Sequence, residues 1–171
     1  MAFNLQRYLK HWLAADRRRS VDDAALSRLT EVVRQSEQKH SGEIRICVEA
    51  RLPDSYLARS HAMPLIARQR AIAQFSKLRV WDTQDNNGVL IYLLLNERAI
   101  EIVADRGINQ HVSADQWKAI TQKLSEQLRQ GQFEAGLTQA VEQVSVLLEK
   151  HFALQSGQRN PNELPDAPSV R

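Results

Sequence analysis

Gly88-Val89-Leu90-Ile91-Tyr92-Leu93-Leu94-Leu95-Asn96-Glu97-Arg98-Ala99-Ile100-Glu101-Ile102-Val103-Ala104-Asp105 is the stretch that decides how this chain folds. Val89 to Leu95 is the longest unbroken apolar run. It is far shorter than the roughly 20 residues of a membrane span, and its length and β-branched content suit a strand buried on both faces. Asn96-Glu97-Arg98 reads as a turn. Beyond it Ile100, Ile102 and Ala104 alternate with Glu101, Val103 and Asp105, so a second strand returns antiparallel beside the first.

Upstream, Ile44, Ile46 and Val48 alternate with Glu43, Arg45 and Glu49, the pattern of a half-buried strand over 43–50 that Pro53 closes. Between this strand and the 89–95 run lies a helix that starts near Pro64 and runs through Leu65, Ile66, Ile72, Ala73 and Phe75 to about Leu78. A helix between strands favours a parallel pair joined by a crossover. The segment from Asp54 to Met63 reads equally as a short helix or a loop. Ahead of the first strand, Ala25, Leu26, Leu29, Val32 and Val33 follow helical spacing. Ser20 with Asp23 offers a capping box there, and Gly42 a left-handed stop. Downstream, Ser113 with Gln116 caps a helix carrying Trp117, Ile120, Leu124 and Leu128, which Gly131 breaks. A last helix runs from about Phe133 to Phe152. The expected fold class is α/β, a three-layer α/β/α sandwich around a small mixed β-sheet. The expected organisation is a basic amphipathic helix over 1–19, an α/β domain over 20–153 and a flexible polar C-terminal tail over 154–171, rich in Asn and Pro.

The 171 residues carry a net charge of +3, but residues 1–20 hold five basic side chains against Asp16, and the rest of the chain is slightly acidic. With no basic face on the body and no aromatic platform, nucleic acid is not an expected partner. The lone Cys47 closes no intrachain disulfide, and the first residues show no signal-peptide pattern, so the cytoplasm is the expected compartment. Leu5, Tyr8, Leu9, Trp12 and Leu13 form an apolar stripe with Arg7 and Lys10 beside it. Such a stripe docks on the protein's own core or on a protein partner, or lies on an anionic membrane surface at its inner face.

The topology brings three loops to one edge of the sheet: His40-Ser41-Gly42-Glu43, Asp82 to Gly88, and Asp105 to Asn109. A hairpin centred on Glu97 sets Gly88 opposite Arg106 and Asn87 opposite Gly107. Asp82, Asp85, Asn87 and Asp105 then form a candidate oxygen-donor set for Ca²⁺ or Mg²⁺, with Glu37, His40, Glu43, Gly88, Arg106 and Gly107 at its periphery. Asp and Asn also serve as ordinary turn residues that cap local backbone, and Arg106 as an internal ion-pair partner. The spacing from Asp82 rejects an EF-hand. No motif for a nucleotide, haem, zinc or iron–sulfur cluster is present, and no Cys or Ser nucleophile has a matched base.

Taken in order, Glu37-x-x-His40-x-Gly42-Glu43-Ile44-Arg45, Val80-Trp81-Asp82-Thr83, Asn87-Gly88-Val89-Leu90-Ile91-Tyr92, Glu101-Ile102-Val103-Ala104-Asp105-Arg106-Gly107-Ile108 and Trp117 resemble the TPM domain family, named for thylakoid-lumen, photosystem II repair and receptor-modulator proteins. The resemblance spans about residues 22–150, and Asn162-Glu163-Leu164-Pro165-Asp166 is similar to the tail of the short bacterial form. It implies an α/β/α sandwich and a divalent-cation site, with Asp85, Gly88, Asp105, Arg106 and Gly107 in the matching loops. One branch of the family further implies a metal-assisted acid phosphatase. The expected function is therefore a soluble binding or regulatory module with a weak Ca²⁺ or Mg²⁺ site that works through a protein partner. A weak metal-dependent phosphatase is the alternative, and a peripheral membrane adaptor the next.

Overall fold

The computed structural model describes residues 22–171. The N-terminal stripe and the Ser20 cap lie outside the described residues.

Helix α1 (Asp23–Ser36) is capped by Asp22, whose carboxylate accepts from the Ala24 N–H at 3.2 Å. Strand β1 (Ile44–Glu49) follows, then the short α2 (Asp54–Leu57) and the long α3 (Met63–Lys77). Strand β2 (Val89–Leu94), one 3₁₀ turn and β3 (Ala99–Ala104) form the hairpin. A one-turn helix α4 (Arg106–Asn109) precedes α5 (Ala114–Arg129) and α6 (Phe133–Phe152), and a two-residue strand β4 (Ser169–Val170) completes the order. The Ser113–Gln116 capping box at the start of α5 forms in full.

The sheet runs β3-β2-β1-β4. β1 and β2 are parallel with Ile44 opposite Val89, and β2 and β3 are antiparallel with Val89 opposite Ala104. The period of two in β2 splits its side chains between two cores. Val89, Ile91 and Leu93 join Ile44, Ile46 and Val48 beneath α1, α5 and α6. Leu90, Tyr92 and Leu94 join Cys47 beneath α3. The architecture is a three-layer α/β/α sandwich around a mixed sheet, as the sequence predicts.

Four particulars differ from the sequence reading. The hairpin register is one residue out: four residues, 95–98, connect the strands, with Arg98 left-handed at φ 51°. Gly88 therefore faces Asp105, whose N–H donates to the Gly88 carbonyl at 2.9 Å. Secondly, Gly42 is not a left-handed stop, since only Gly131 and Gly157 have positive φ among the described glycines. It is small because a Cβ there would stand 2.5 Å from Leu148. Thirdly, β1 is buried along its whole length rather than on one face. Glu49 is only 3% exposed because Arg70 from α3 grips its carboxylate with two nitrogens, at 2.9 and 2.5 Å, and the Tyr92 hydroxyl donates to it at 2.7 Å. Lastly, part of the segment after residue 154 is laid along β1. The Arg171 N–H donates to the Val48 carbonyl and the Ala50 N–H to the Arg171 carbonyl, both at 2.9 Å. Leu164 is buried in the second core.

Candidate functional site at the acidic loop edge

The loop before β2 is pinned from three directions. Gly88 passes so close to the turn that follows α3 that a Cβ would sit 2.0 Å from the Val80 carbonyl oxygen. At the start of α4, a Cβ on Gly107 would meet the Asp85 and Asn86 carbonyl oxygens at 2.4 and 2.6 Å. The Gly107 N–H donates to that Asn86 carbonyl at 2.8 Å. These contacts give a physical reason for glycine at both positions, and they bring the 82–88 loop against the 105–107 turn as the topology requires. The third tie comes from the tail: the Glu163 carboxylate accepts the Gln84 N–H at 3.1 Å on both oxygens.

Ser41 is the centre of the polar arrangement, and the sequence reading did not single it out. Its hydroxyl donates to Asp85 Oδ2 at 2.9 Å and accepts from Asn87 Nδ2 at 3.1 Å, so one small side chain links Asp85 to Asn87. Asn87 is fully buried, and its Oδ1 has no hydrogen-bond partner. Asp105 caps α4 through Oδ1, which accepts the Arg106 N–H at 2.7 Å, while its Oδ2 is buried and unpartnered. Arg106 bonds the Asn86 amide oxygen at 3.0 Å rather than one of the loop carboxylates.

The remaining candidates are occupied elsewhere. Asp82 pairs with Arg79 one turn back. Both ring nitrogens of His40 are taken, one by the Gly42 carbonyl at 3.0 Å and the other by the Ser145 hydroxyl at 3.1 Å, and burial lowers the imidazole to about 4. Glu37 Oε1 accepts the Ile44 N–H at 2.8 Å, and burial, then the charge of Glu43, pushes its carboxyl up to about 9. Glu43 holds the tail, accepting the Glu163 and Leu164 N–H groups at 3.1 and 3.2 Å, with burial raising it as well. Among the described residues no group of three or more His, Cys, Asp or Glu is gathered to hold a metal ion. The structure thus brings Asp85, Asn87 and Asp105 to one edge and leaves Asp82, Glu37, His40 and Glu43 in other contacts. Cys47 is buried in the second core, where burial pushes its thiol up to about 11, which suits packing rather than nucleophilic chemistry.

The fold that carries this loop edge, at the start of β2 and the end of β3, is an α/β/α sandwich around a mixed four-stranded sheet. The TPM domain family matches residues 15–147, and the chain belongs to that family. The structure is similar to the NMR structure of BA42 protein from the psychrophilic bacterium Bizionia argentinensis, with a TM-score of 0.72 and 28% identity, covering 88% of this chain and 95% of that one. No curated protein matches. Among the described residues no helix is long and apolar enough to cross a membrane.

Proposed function

We propose that this TPM domain is a non-catalytic binding module whose loop edge takes a hard divalent cation, Ca²⁺ or Mg²⁺, through Asp85, Asn87 and Asp105. The observation that carries the reading is the pair of buried acceptors with no donor, Asn87 Oδ1 and Asp105 Oδ2. A buried oxygen without a donor costs about 1–3 kcal/mol, more when charged. A cation satisfies what no N–H or O–H in the described structure does. The donor set is all oxygen, which suits Ca²⁺ or Mg²⁺ and not zinc. Asp82, held by Arg79, is left out of the set. Few charged ligands make for weak binding, and the Ser41 hydroxyl, hydrogen-bonded to both, holds Asp85 and Asn87 in orientation.

Titration of Ca²⁺ and Mg²⁺ against backbone amide NMR shifts tests the reading. Saturable shifts at Asp85, Gly88 and Asp105 are expected; silence there ends it. p-Nitrophenyl phosphate offered to the loaded protein is expected to remain intact. Turnover that disappears on Asp105→Asn would replace the binding module with a metal-assisted phosphatase.

A further inference from the structure

A cavity of about 280 Å³ opens at the end of the sheet away from the acidic loops. Leu93 at the end of β2, Leu95, Ile100 in β3, Leu128 in the last turn of α5 and Phe133 at the start of α6 form its walls. All but Leu93 are only partly buried against the first core, so apolar surface is left facing the hollow. Among the described residues, Ser125, Arg98 and Arg129 supply its side-chain polar groups and none of those that line it is acidic. Arg98 is the left-handed residue that ends the 3₁₀ turn, so the turn that sets the hairpin register also fixes where this guanidinium starts.

We propose that this cavity binds a small anionic amphiphile, a carboxylate whose apolar body fills the hollow between β2, β3 and α5 and whose head lies between Arg98 and Arg129. Ligand sites are concave and mostly apolar, with a few polar groups that fix orientation, and this cavity has that make-up. Guanidinium forks match a carboxylate in shape and charge, whereas a cationic head would face two like charges. The volume of about 280 Å³ is enough to take the apolar body of a short or medium-chain carboxylate. The site lies a strand's length from the loop edge and is independent of any cation bound there.

The test uses the full chain, isotopically labelled, with octanoate, octanol and octyltrimethylammonium in low salt. Octanoate is expected to give saturable amide shifts at Ile100, Ser125 and Gly131, weakened by added salt and by about threefold to fivefold in each of Arg98→Gln and Arg129→Gln. Both arginines are exposed, so the spectra of the variants should keep the wild-type pattern elsewhere. Equal binding of octyltrimethylammonium would overturn the proposal, as would an absence of shifts at the cavity or shifts confined to the loop edge at 82–88 and 105–107. It is equally overturned by contacts from Trp12 to Leu128 or Phe133 in the free chain, which make the protein's own N-terminal stripe the occupant. Ligand-free shifts that grow with protein concentration would assign the cavity to a second copy and end the proposal too.

Discussion

Replacing Glu37 by Gln tests the electrostatics at the foot of β1. Glu37 is 5% exposed, and its carboxyl accepts one N–H from Ile44 and stands near Glu43, which accepts two and is the better stabilised anion of the pair. The folded protein therefore keeps a proton on Glu37 up to about pH 9, while the unfolded chain releases it at about 4.3. Between those values the unfolded state binds fewer protons, so stability falls as pH rises, by about 1.4 kcal/mol per unit. From pH 6.5 to 8.5 that amounts to roughly 2–3 kcal/mol. Raised Glu43 adds a slope of the same sign. His40, lowered to about 4, acts only on the acid side, where stability is lost as pH falls below about 6.5. The Glu37→Gln side chain keeps an amide oxygen for the Ile44 N–H and has no proton to release. Urea unfolding followed by circular dichroism at pH 6.5, 7.5 and 8.5 should show the wild type losing stability with pH and Glu37→Gln losing much less, so that the variant is the more stable protein at pH 8.5. Parallel pH profiles for the two proteins would refute the reasoning.

Two further perturbations probe how the loop edge is assembled. Gly107→Ala drives a Cβ into the Asp85 and Asn86 carbonyl oxygens, and should cost about 1–3 kcal/mol in urea unfolding; a loss below about 0.5 kcal/mol would mean that the turn moves freely. Glu163→Ala removes the carboxylate that holds the Gln84 N–H. Hydrogen exchange at Gln84 should accelerate with global stability lowered by no more than about 1.5 kcal/mol, whereas unchanged exchange would show that the tail does not restrain the loop.

Periodicity makes most of the framework legible in the sequence. Alternation in 44–48 and 100–104 and the unbroken run at 89–95 mark the three long strands, and 3.6-residue spacing with the Ser113 cap marks the helices. What escaped has physical causes. β4 is two residues long, and the tail that carries it is docked through backbone groups and the side chains of Glu43, Arg45 and Asn160, which leave no hydrophobic period to read. Glu49 reads as a solvent-facing residue, because sequence alone does not reveal that Arg70 and Tyr92 will meet its carboxylate inside the protein. The one-residue register shift follows from a left-handed Arg98, a conformation that no glycine or asparagine signals at that position. At the candidate site the loops that meet were legible from topology, whereas the partners of each side chain were not. Ser41 gave no signal beyond its place in a loop, and Asp82 went to Arg79, a neighbour in the chain.

The two orphaned oxygens bear most directly on the account. Amide shifts of Gly88 followed through a Ca²⁺ titration, in the wild type and in Asp105→Asn, measure their part. Loss of a charged ligand oxygen worth at least about 1.4 kcal/mol predicts affinity weakened tenfold or more in the variant, with its fold unchanged. Equal affinity in the two proteins, or saturable shifts that avoid Asp85, Gly88 and Asp105, would contradict a cation site at this edge.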